Sequence, residues 1–209
     1  MKRSLATIAL IPAFVLLAIA SGCNLMESGP SFKKGGNGKG GGLVFQTTLS
    51  VTFDEVRTDA DFTITQVVDD FGTQLTAAID AAGVGGRIDQ IRMTGSNLKL
   101  QGGYQGHAWT FTNSVAVERL DVVDGPRTIV NPSVVEVPAD LKKKGYTPDL
   151  NNTGVGVVNR AMADLLAGGT PTLQVTLVGA GVSPVPSFAD PMEFSWKCDI
   201  EVTATLFPE

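Results

Sequence analysis

The chain has 209 residues, with 16 Lys and Arg against 21 Asp and Glu, one histidine and two cysteines. A net charge of −5 argues against a nucleic-acid partner, whose phosphates must be met by Lys and Arg. One His and two Cys are too few for a conventional zinc site.

The first residues set the address. Lys2 and Arg3 precede an apolar run from Leu5 to Ala20 that is uncharged and holds Pro12 near its middle. The run is too short to span a bilayer comfortably, and Pro12 weakens it as a permanent helix. A basic start, a short apolar core and small residues at its end make a secretory signal, set aside from fold reasoning. Its last four residues, Ala20-Ser21-Gly22-Cys23, resemble the lipobox of bacterial lipoproteins, with Ala20 where Leu is commoner. The resemblance implies a signal peptide over 1–22 and a diacylglycerol on Cys23, which becomes the mature N-terminus. Several acyl chains suffice for stable anchoring. Ala18-Ile19-Ala20 also reads as an ordinary cleavage site that would leave a soluble protein starting at Ser21.

Residues 23–42 follow as an acylated Cys and a Gly- and Lys-rich tether, with Lys33, Lys34, Lys39 and six glycines between 35 and 42. Such a coil has a reach of roughly 25 Å. By resemblance to enterobacterial sorting, Asn24 in place of Asp implies the outer membrane of a bacterial cell envelope, and without an acidic run after Cys23 the expected side is the periplasm.

From residue 43 to 209 one domain is expected, with eleven basic against twenty acidic side chains. Period-two alternation predicts strands over Leu43, Phe45, Thr47, Leu49, Val51 and Phe53; over Ile91, Met93, Leu98 and Leu100, interrupted at Gly95; and over Trp109 to Val117. Leu173, Val175 and Leu177 follow the same rule, as does Phe194 to Leu206. Each has one buried and one wet face, the pattern of antiparallel sheet. Two segments break the period. Val67, Phe71, Leu75, Ala78, Ile79 and Ala82 form one helical stripe that Gly83 can end. Val155, Val158, Met162, Leu165 and Leu166 form another ending before Gly168, with Thr153 as its expected N-cap.

The order strand, helix, strand, strand occurs twice, over 43–122 and 127–209. The helices and Gln90–Gly95 against Gln174–Gly179 match at a spacing of 84, and Trp109–Val117 against Phe194–Val202 at 85. A duplication of this kind predicts two halves sharing one core about a pseudo-twofold axis. The expected fold is mainly β: an antiparallel β-sandwich with two short helices covering an edge or end, a two-layer α+β sheet being the alternative.

Reactive constellations are scarce, and the chain is not expected to be an enzyme or to carry a cofactor. His107 lies in Gly102-Gly103-Tyr104-Gln105-Gly106-His107-Ala108-Trp109, read as the tip of a hairpin, a poor place for a positioned base. Asp54-Glu55, Asp59, Asp61 and Asp69-Asp70 fit no EF-hand spacing, and no metal is expected. Asn151-Asn152-Thr153 matches a glycosylation sequon, with helix capping the favoured use. Cys198 falls on the apolar face of its strand and reads as a buried thiol, although a disulfide to Cys23 would be the sole pairing open to it. Aromatic side chains beside glycines on turns can stack on a sugar or anchor a protein, so Tyr104, His107, Trp109 and Phe188 are the candidate partner-binding residues. Trp109 also begins a strand, where a core role competes.

Two functions fit. One is a membrane-anchored, non-catalytic binding or structural module holding an envelope protein or glycan, with no nucleic-acid partner. The other is a periplasmic carrier of a lipid or other apolar ligand, which requires a cavity lined by Phe, Val and Leu.

Overall fold

A computed structural model describes residues 31–34, 43–57, 60–68, 70–81, 87–102, 108–137, 139–140 and 145–207. The elements are β1 (Ser31–Lys34), β2 (Leu43–Arg57), β3 (Phe62–Val68), α1 (Phe71–Ala81), β4 (Arg87–Gly102), β5 (Trp109–Arg119), β6 (Arg127–Val137), α2 (Asn152–Leu166), β7 (Leu173–Ser183) and β8 (Met192–Phe207). All pairings are antiparallel and make two sheets, β1-β2-β8-β4 and β3-β7-β5-β6. Their inward residues, from Phe45, Leu49, Val51 and Phe53 of β2 to Val175 and Leu177 of β7, join a single apolar cluster. The fold is therefore the expected β-sandwich.

The alternation that predicted the strands is the burial pattern observed. In β5 every second residue from Trp109 to Arg119 is buried, and in β4 the inward parity shifts from Ile91 and Met93 to Ser96 and Leu98 across a register break between Met93 and Gly95. Such an inserted residue twists the strand and lets both segments bury their apolar side chains.

Sequence and structure part company in four places. Residues 31–34, expected in the tether, pair with the first residues of β2, Ser31 opposite Gln46 and Lys34 opposite Leu43. Val67 was expected to begin a helix and instead lies on β3, 40% exposed, opposite Gln174. The N-cap of α2 is Asn151 rather than Thr153: the Thr153 amide and hydroxyl both donate to Asn151 Oδ1, at 3.0 and 2.6 Å. An Asn in extended conformation supplies that oxygen two residues ahead, where the orphan amides of the first turn need it. Lastly, β4 and β5, expected to join in a hairpin, lie in different sheets, so the chain crosses over between them.

That crossover exposes how the two halves are built. Exchanging β2 with β6, β4 with β7 and β5 with β8 turns the order β2-β8-β4 into β6-β5-β7, which is the core of the other sheet. Each half donates its last strand to a place between two strands of the other half, β8 between β2 and β4 and β5 between β6 and β7. Register repeats with it. Phe53 and Val51 pair with Trp196 and Cys198 as Val137 and Val135 pair with Trp109 and Phe111. Ile91 and Met93 pair with Ala204 and Val202 as Val175 and Leu177 pair with Val117 and Val115. Outer strands thus correspond at a spacing of 84 and central strands at 87, which corrects the 85 read from sequence. Since 85 and 87 are both odd, the inward face of the central strands is unchanged, but 87 brings Trp109 and Trp196 to equivalent positions. Because neither half owns a complete sheet, neither can bury its apolar faces alone.

The strand ends define two poles. The ends of β2, β4, β6 and β7 and the starts of β3, β5 and β8 lie at one, called here the loop pole. At the other, α1 follows Val68, and α2 starts beside Ile129 and runs past Arg119 to Leu165, which touches Gly72 of α1. This helix pole also carries the first residues of β2 and the tip joining β5 to β6. Close approach of α2 depends on Gly154, where an added Cβ would stand 2.4 Å from the Thr128 carbonyl oxygen.

Candidate functional site

The loop pole is supported from below by aromatic packing. Phe62, at the start of β3, meets Phe111 edge-on at 5.2 Å and Phe194 at 5.6 Å, near the optimum for ring quadrupoles. Its ring lies over Gly179, where an added Cβ would sit 2.1 Å from it. Only a residue without a Cβ allows the ring to lie against the β7 backbone. Trp109 and Met192 complete the floor, both buried.

Two short hydrogen bonds tie Ala60 and Asp61 to the end of β7: the Val182 amide donates to the Ala60 carbonyl at 2.7 Å, and the Gly181 amide donates to Asp61 Oδ1 at 2.7 Å. Beyond them the chain enters Pro184-Val185-Pro186-Ser187-Phe188-Ala189-Asp190-Pro191. Pro186 is buried, and a tight turn closes between Ser187 and Asp190, whose amides donate to each other's carbonyls at 3.0 and 3.1 Å. The Asp190 amide also reaches Ser187 Oγ at 3.2 Å. Phe188 occupies the tip of this turn and is 94% exposed, with Val185 at 68% beside it.

The sequence-derived candidates therefore separate. Phe188 stands on the surface in a held conformation. Trp109 is 1% exposed, its ring part of the floor, so it cannot touch a partner; a strand that pairs on both sides turns its first inward residue into the core. Tyr104 and His107 lie outside the described residues, as do Cys23 and the rest of the signal, Lys142–Lys144, Asp59, Asp69 and the side chains of Asp54 and Glu55. Among the described residues no three His, Cys, Asp or Glu side chains come together as a metal site would require. Asp61 and Asp70 serve local structure, accepting from the Gly181 amide and from Gln74 Nε2.

Two polar features were not read from the sequence, and a third, the buried thiol of Cys198, was. Arg119, almost fully buried at the end of β5, donates through Nε and Nη2 to Asp121 and through Nη1 to Asp164 on α2. The Arg119 hydrogen bonds hold the Asp121 carboxyl below its usual range and raise the guanidinium further still. A bidentate clamp of this kind fixes the β5–β6 tip to the helix. Asn113, on β5 between Phe111 and Val115, is fully buried, and neither its side-chain nitrogen nor its oxygen has a hydrogen-bond partner. Cys198, a free buried thiol, lies 3.4 Å from Ser96 Oγ, and burial pushes its pKa up to about 11.

At the helix pole an open groove of about 590 Å³ runs between Thr73, Thr76 and Asp80 of α1, Leu165 of α2 and Thr172. Leu165, Ala77 and Pro171 give it an apolar side, and threonines with Asp80 the rest; neither Phe nor Val lines it. None of the described helices is long and apolar enough to cross a membrane. Neither a protein-family model nor a curated protein sequence matches the chain.

Proposed function

We propose that the chain is a lipid-anchored protein of a bacterial cell envelope whose domain is a non-catalytic binding module, and that its loop pole holds a protein partner through Phe188. The observation that carries this reading is a large aromatic side chain, 94% exposed, at the tip of a hydrogen-bonded turn over a packed aromatic floor. Exposed aromatic side chains on pre-organised loops are the usual anchors of interfaces, because little entropy remains to be lost on docking. Val185, three residues before it and 68% exposed, adds apolar area, and the module needs no reactive group.

The test is site-specific photocrosslinking in intact cells. A photoreactive phenylalanine analogue at 188 is expected to give a discrete higher-mass adduct that the same analogue at exposed Thr63 on β3 does not. Adducts at neither position, or equal diffuse adducts at both, would remove the loop pole as a docking site.

A further inference from the structure

Beyond the partner-binding pole, and resting on the lipid-anchor reading, we infer that the helix pole lies on the bilayer and inserts the β5–β6 tip among the lipid headgroups. The first observation is the length of chain outside the domain. With Ser31–Lys34 folded back on β2, only eight backbone steps separate Cys23 from Ser31, a contour of at most ~28 Å. Ser31 is itself opposite Gln46, three residues or ~10 Å from the helix-pole end of β2. An acylated Cys23 therefore holds that pole within a short distance of the surface, and the loop pole turns toward the aqueous side.

The second observation is what that pole presents. Val123 is fully exposed at the tip, and Leu120, Val122 and, on α2, Leu166 are about two-fifths to one-half exposed. Arg119 is tied to Asp164, so the tip is braced against α2 rather than free to fold away. The third is charge. The domain carries eleven basic against twenty acidic side chains, so an anionic leaflet repels it as a whole. At the tip, however, Arg119 meets Asp121 and Asp164, while Arg127 and Arg160 meet Asp124 at 3.5 and 2.8 Å, three cations for three anions. Ion pairs of this kind offset much of the acidic excess around the apolar tip, so its exposed side chains approach the surface with less repulsion than the rest of the domain.

The experiment uses the full mature lipoprotein carrying Val123→Cys or Phe188→Cys, labelled with an environment-sensitive fluorophore and reconstituted in phosphatidylethanolamine–phosphatidylglycerol vesicles. Intact mass reports the state of Cys23. A label at 123 is expected to shift to the blue and lose roughly half its emission to brominated acyl chains, as a group ~5–10 Å deep does, while one at 188 does neither. Unquenched emission at 123 on an acylated protein overturns the inference and leaves the anchor standing. A Cys23 without lipid overturns both. Shielding of 123 in cells but not in pure lipid assigns the tip to a protein and overturns the lipid assignment.

Discussion

Replacing Gly179 with Ala places a methyl carbon 2.1 Å from the Phe62 ring, where real contacts start above about 3 Å. Phe62 is 3% exposed and sandwiched by Phe111 and Phe194, so the ring cannot move without giving up both aromatic contacts. Overpacking of this kind costs ~1–3 kcal/mol. Each aromatic pair adds ~0.5–1.5 kcal/mol, and the stiffer unfolded chain returns ~0.4–1 kcal/mol. The net expectation is a loss of about 2–4 kcal/mol, or a fall in Tm of about 5–15 °C for a domain of this size. Thermal unfolding followed by circular dichroism measures it. A double-mutant cycle with Phe62→Ala adds a sharper reading, because the methyl group clashes with nothing once the ring is gone. The two substitutions should then be less than additive by at least ~1 kcal/mol. A Gly179→Ala protein that melts within about 2 °C of the parent, or strict additivity in the cycle, would refute the packing account of the loop pole.

Asn113→Leu is expected to stabilise the domain by ~1–3 kcal/mol, since the unpartnered amide leaves the core and the equivalent central-strand position in the other half is Ile200. A lower urea midpoint would show the amide to be satisfied. Arg119→Met should cost ~1–3 kcal/mol at pH 7. Asp121 titrates below its unfolded value, so the stabilisation it gains from Arg119 is complete above about pH 4 and is lost as pH falls through the folded value. Urea midpoints of the parent and Arg119→Met should therefore converge in acid, and a constant gap down to pH 2 would contradict the clamp. Cys198 titrates high, so its contribution is present below its unfolded value near 9 and fades as pH rises toward about 11. Iodoacetamide at pH 8 should leave it unmodified in the native protein and alkylate it in urea; rapid native alkylation would show that it is not sealed in the core.

Period two in β2, β4, β5, β7 and β8 was enough to identify the strands and their inward faces, and therefore a sandwich. β3 escaped because it pairs only with β7 and exposes Thr63, Thr65 and Val67, while Val67 falls four residues before Phe71 and imitates a helical stripe. Which strands pair is not written in a local pattern. A six-residue link suits a hairpin and a crossover equally, and the exchange of β5 and β8 between halves is decided by which arrangement buries every apolar face. The exposure of Phe188 was legible because an aromatic residue in a segment with Pro184, Pro186 and Pro191 has no strand to join. Trp109 was not, since alternation marks an inward face only once the sheet around it is known. The Arg119 clamp spans 45 residues to Asp164, and no local signal announces such a pair.

The proposed lipid on Cys23 would set one pole at the bilayer and present the other to a partner. Mass spectrometry of the mature N-terminus tests it most directly. The predicted result is a chain beginning at Cys23 and heavier than its sequence by a diacylglycerol; an unmodified chain beginning at Ser21 would contradict it.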